Sequence, residues 1–93
     1  MIQSAKGKLA TNALQGKYGK GFPADLVKRT RAMLTALDAA VAVEDLRFPP
    51  GNNLEELKRD RAGQHSVRIN DQWRICFVWT PKGPAEVEIV DYH

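Results

Sequence analysis

Cysteine is almost missing from this chain. Cys76 stands alone among 93 residues, which excludes an internal disulfide and a zinc cluster built from thiolates. Its neighbours Ile75, Phe77 and Val78 are apolar, so it reads as a small buried hydrophobe rather than a nucleophile. Histidine is nearly as scarce: His65 and His93 are the two present, and neither stands at metal-binding spacing from a carboxylate. The expected chemistry is therefore metal-free, with no cofactor. No run approaches the roughly 20 apolar residues of a membrane span, and Met1–Lys6 lacks the apolar core of a secretory signal. A cytoplasmic protein with no membrane partner is expected. Repeats and low-complexity segments are also missing.

What is present is an ordinary globular composition, 43% hydrophobic and 27% charged, in a length that suits one domain over residues 1–93. Fourteen basic and 11 acidic residues leave a net charge of +3. That is compatible with a polyanionic partner without demanding one.

Periodicity divides the chain into a helical first half and a β-rich second half. An extended start leads to a short helix carrying Leu9, Ala10, Ala13 and Leu14, and the run Gly16 to Gly21 ends it as a flexible basic loop. Pro23 and Asp25 open a longer helix expected over residues 23–42. Its apolar face is Leu26, Thr30, Met33, Leu34, Leu37 and Val41, while Lys28, Arg29 and Arg31 fall off that stripe and are expected to face solvent. Residues 43–53 read as a loop. Leu54–Lys58 forms a short strand, Arg59–Gly63 a charged turn, and three alternating segments follow around Val67, Ile75 and Val87. Trp73, Phe77 and Trp79 alternate as core residues, which argues against an aromatic nucleic-acid-binding stripe. Helices followed by hairpin-linked strands argue an α+β domain, N-terminal helices packed on a small antiparallel sheet.

Strand parity carries more information than composition. The apolar residues Val67, Ile69, Trp73 and Ile75 are all odd-numbered, so Ile69 should face Trp73 and Arg68 should face Arg74. Like charges directly opposite are destabilising. Either a carboxylate such as Glu86 or Glu88 lies between the two guanidiniums, or an external anion does. The chain then closes on Asp91, Tyr92 and His93, and an unperturbed imidazole titrates near pH ~6.5. On a regular strand Tyr92 shares a face with Glu88, and His93 shares the core face. Acid–base groups beside paired guanidiniums suggest phosphoryl chemistry.

The segments LEELKRD (residues 54–60), GQHSVRINDQWRICF (63–77) and VEIVDYH (87–93) resemble the HigB toxins of the RelE/ParE superfamily, a likeness that runs over essentially the whole chain. The resemblance implies a RelE-like, microbial ribonuclease-like fold and a toxin of a type II toxin–antitoxin pair. It implies ribosome-dependent cleavage of messenger RNA, with the ribose 2′-OH attacking the scissile phosphate without metal. Partners implied are a HigA-like helix-turn-helix antitoxin, the ribosome with its mRNA, and operator DNA only through the antitoxin complex. By the same resemblance His93 is the general acid, Arg68 and Arg74 hold the phosphoryl oxygens, and Tyr92 stacks on a base or orients the phosphate. Asp91 holds His93 or a neighbouring arginine, Glu55 is the candidate base, and Lys58 and Arg61 bind substrate.

Two departures bear on this. The motif L-H-x-L-K-G of many HigB toxins has Glu55 in place of its histidine and Arg59 in place of its glycine, and a phenylalanine common near the start is Ala5. A different class of activity shares the superfamily fold, non-enzymatic inhibition of DNA gyrase by ParE-like toxins, and fold does not separate the two. Arg68, Arg74 and His93 favour the nuclease, because a pure inhibitor needs no acid–base group beside paired arginines.

Overall fold

The structure is a computed structural model and describes residues 1–48 and 50–91. Helix α1 (Lys8–Leu14) is short because Gly16, at φ +79° just beyond it, takes the left-handed turn that returns its N–H to the Ala13 carbonyl at 2.9 Å. After the basic loop, a 3₁₀ turn (Ala24–Leu26) with Pro23 ahead of it leads into helix α2 (Val27–Ala39). Thr30, Met33, Leu34 and Leu37 form its buried stripe, spaced i, i+3, i+4 and i+7 as one helical face requires.

The stripe stops earlier than periodicity suggests. Val41 is 89% exposed, not part of the core, because the helix ends at Ala39 and Ala40 is already extended. The N–H groups of Val41 and Ala42 donate instead to the Asp45 carboxylate, at 2.9 and 3.1 Å. The bonds from Ala42 and Val41 hold the Asp45 carboxyl below its usual range. That contribution is present above the ordinary carboxylate pKa and is lost as pH falls through the depressed value.

Strands β1 (Glu55–Glu56), β2 (His65–Arg68), β3 (Trp73–Thr80) and β4 (Gly83–Asp91) form one antiparallel sheet in that order. The N-terminal segment runs parallel to β4 along its outer edge, with Gln3 N–H to Pro84 O, Val87 N–H to Ser4 O and Lys6 N–H to Val87 O at 2.8–3.0 Å. Gly83 is confined to glycine by this packing: its φ is +128°, and a Cβ there would collide with the Met1 carbonyl. The odd-numbered face of β2 and β3, with Val87 and Ile89 of β4, packs with α1 and α2 in the core. Sheet and helices thus bury one face and leave the even-numbered face to contacts from the segments around Asn53 and Arg61.

Parity changes once, at a bulge in β4. Cys76 faces Glu88 but Val78 faces Ala85, and Glu86 takes φ +50° where the register shifts. Among the described residues two others with side chains adopt the left-handed region, Asn53 (φ +44°) and Arg59 (φ +57°). Arg59 stands where the resembling motif has glycine, and it carries a backbone conformation that L-residues adopt at a cost. Arg59→Gly is accordingly expected to raise stability by about 1 kcal/mol, read as a higher urea midpoint at unchanged slope. An unchanged or lower midpoint would mean that the turn fixes Arg59 without strain.

Candidate active site

Two rows of residues cross the even-numbered face of the sheet. Glu55, Ser66, Cys76 and Glu88 face one another in sequence from β1 to β4, and Arg68, Arg74 and Val90 form the next row. Facing residues and their i+2 neighbours share a face, so all of these side chains stand on one surface. The Arg68–Arg74 pairing expected from parity is the one observed.

The carboxylates that meet the two guanidiniums are not the expected ones. Neither Glu86 nor Glu88 lies between the arginines. Glu88 accepts from Arg61 at 3.1 Å, and Glu86 is exposed at the bulge. Arg68 pairs instead with Asp71 in the β2–β3 turn, and Arg74 approaches Glu55 of β1 at 3.7 Å. Each guanidinium on this face, Arg61, Arg68 and Arg74, therefore has its own carboxylate. Both missed partners come from irregular or barely regular segments, which period-two reasoning does not reach.

The arginines differ sharply in burial. Arg74 is only 9% exposed. Its Nε donates to Ser66 Oγ at 2.8 Å and a terminal nitrogen donates to the Asn53 carbonyl at 2.7 Å, so it holds the loop that leads into Glu55. Arg68 is half-exposed and its partner Asp71 almost wholly so, an arrangement in which an ion pair contributes little and exchanges readily. Arg61, expected to bind substrate, has its guanidinium engaged by Gln64 Oε1 and Glu88, both at 3.1 Å. Lys58 is exposed at the start of the 59–61 turn. Burial pushes the Cys76 thiol up, in keeping with an inert core position rather than a nucleophile.

Glu55 is exposed beside Ser66, in a strand of two residues where five were expected. Asp91 pairs with Trp73 at the end of β4, which places it on the helix-facing side, and its carboxylate accepts from Gln72 Nε2 at 3.0 Å. Tyr92 and His93 lie outside the described residues. Among the described residues no three His, Cys, Asp or Glu side chains gather as a metal site.

Residues 9–93 match the family described as the RelE-like toxin of the type II toxin–antitoxin system HigB. The chain belongs to the HigB-like toxin family. Over 58 residues it is 42% identical to Toxin HigB-1 of Vibrio cholerae, covering 62% of this chain and 61% of that protein. Over 93 residues it is 31% identical to Endoribonuclease HigB of Proteus vulgaris, covering both chains in full. An uncharacterized protein of Haemophilus influenzae is 34% identical over 56 residues, 60% of this chain and 55% of that one. The matched stretch thus spans under two thirds of the first and third relatives and all of the second. The family is one of toxins paired with an antitoxin. Among the described residues no helix of the toxin is long and apolar enough to cross a membrane.

One solvent-facing residue makes contacts that its helical position does not announce. Arg29, off the apolar stripe of α2, reaches back to the sheet and donates to backbone carbonyls of β2 and its turn. Its long stem lets a side chain rooted off the buried stripe reach across the interface.

Proposed function

We propose that this toxin is an endoribonuclease that cleaves messenger RNA on the ribosome. The observation that supports the reading best is the grouping of Glu55, Arg68 and Arg74 on one sheet face, beside an endoribonuclease relative aligned end to end. Cleavage needs a base for the ribose 2′-OH, cationic donors for the phosphoryl oxygens and an acid for the leaving 5′-oxygen. Glu55 takes the first role. Arg68 takes the second by exchanging exposed Asp71 for the scissile phosphate, since a guanidinium fork suits either oxyanion. Arg74, already bound to Ser66, Asn53 and Glu55, fixes that geometry and adds charge. His93 is the acid, Tyr92 stacks on a base or orients the phosphate, Asp91 orients the tail, and Lys58 attracts the RNA backbone. Arg61 serves substrate binding by holding the 59–64 turn in place through Glu88. No step in this scheme calls for a metal ion.

Membership of the family supports the rest of the reading. The toxin is one domain acting in the cytoplasm, its antitoxin is a HigA-like helix-turn-helix protein, and operator DNA is reached only through that complex.

The test is chemical. Ribosomes programmed with an mRNA should yield fragments ending in a 2′,3′-cyclic phosphate and beginning with a 5′-OH. A single 2′-deoxy substitution at the scissile nucleotide should abolish that cut, because it removes the nucleophile. Cleavage of the deoxy substrate would overturn the mechanism, and intact mRNA with inhibited gyrase would favour the ParE-like activity.

A further inference from the structure

Strand β1 pairs with β2 only at Ser66 and His65, so it stops short of the end of β2 where Arg68 stands. Arg29 arrives there from α2. Its Nε donates to the Ile69 carbonyl at 2.6 Å, and one terminal nitrogen donates to the Arg68 carbonyl at 3.1 Å and the Gly51 carbonyl at 3.4 Å. One planar guanidinium thus meets the strand end that carries Arg68 and the turn just before Asn53, whose carbonyl receives Arg74. A fork of fixed donors suits three converging carbonyls, whereas an ammonium is a single point with no preset plane.

We propose that Arg29 is a positioning residue for the cleavage reaction: it replaces the strand partner that β1 does not supply and fixes the backbone from which Arg68 reaches the phosphate. The proposal rests on the role given to Arg68 above. Arg29 itself touches neither substrate nor reacting atoms; it acts through the β2 end that carries Arg68. With Arg29 gone, the turn after β2 keeps its β3 contacts on one side, with Ile69 and Asn70 N–H bonded to the Trp73 carbonyl, and loses its anchor on the other. Arg68 would then sample orientations that miss the phosphate.

The experiment is a double-mutant cycle in single-turnover cleavage of ribosome-bound mRNA, using the full chain as parent, Arg29→Ala, Arg68→Ala and the pair. Arg29→Ala should lower the maximal rate by ~10–10²-fold, the scale of a misplaced catalytic group, with half-saturation unchanged. In the Arg68→Ala background the same substitution should cost little further, because both changes remove one contribution. Additive losses would overturn the proposal and leave Arg29 as a general structural residue. Should Arg29→Ala not fold, Arg29→Lys decides: it keeps the charge but loses the planar fork of donors, and it should melt near the parent yet cleave more slowly. A parent-like rate for Arg29→Lys would overturn the proposal too. A parent that fails to cleave, or an Arg68→Ala that cleaves normally, would instead refute the function proposed for the site. Slow Arg68→Ala beside parent-like Arg29→Ala would refute the positioning role alone.

Discussion

Arg74→Ala is expected to destabilise the toxin by about 2–4 kcal/mol, a drop of roughly 10–20 °C in melting temperature for a domain of this size. The guanidinium is nearly buried and holds Ser66 Oγ and the Asn53 carbonyl while facing Glu55. Removing it leaves polar groups without their donor, and that loss outweighs any relief of repulsion from Arg68. Arg68→Ala is the control: its pair with exposed Asp71 contributes little, so the melting temperature should hardly move. Cleavage should nevertheless slow by ~10²–10³-fold, the scale for one preorganised donor to a developing oxyanion. Melting curves and single-turnover rates on both variants separate the roles. An Arg74→Ala protein that melts like the parent would show that the Ser66, Asn53 and Glu55 contacts contribute nothing net.

The second large effect falls on the chain end. His93→Ala is expected to slow mRNA cleavage by ~10²–10⁴-fold, the range for losing a positioned general acid, and to relieve growth arrest when expressed without antitoxin. Its melting temperature and its binding to the antitoxin should match the parent. Full cleavage by the purified variant would remove His93 from the mechanism and leave His65 the sole imidazole for the role. His65 is half-buried and stacked on Phe77 at 6.0 Å, a poor place from which to reach a leaving group.

Regular structure was legible wherever side chains repeat. The period of two placed Arg68 opposite Arg74, and the helical period found Thr30, Met33, Leu34 and Leu37. Misreadings cluster where a side chain or a loop departs from its period. Val41 continues the apolar spacing of α2, but Asp45 captures its N–H and the helix has already ended. Glu88 has the right parity to neutralise Arg74, yet Arg61 claims it from the 59–61 turn. Glu55 and Asp71 do neutralise the arginine pair, and neither belongs to a periodic run long enough to announce which way it points. Arg29 is exposed as expected, but its bonds to the sheet were not legible, because helical position reports where a side chain leaves the backbone, not where a long one arrives. The bulge at Glu86 was equally silent, since its sequence carries no glycine to mark a left-handed residue.

The borders of the sheet bear on what happens when antitoxin is lost. A released toxin has to remain a dispersed single molecule to reach its target, and exposed strand borders are where β-proteins polymerise. One border here ends in two adjacent glutamates, too short and too negative to template another copy. The opposite border is occupied by residues 3–6. Variants that shorten the N-terminus or neutralise Glu55 and Glu56 would therefore trade toxicity for self-association, and a weakened toxin of that kind would be mistaken for a catalytically impaired one unless its particle size were measured.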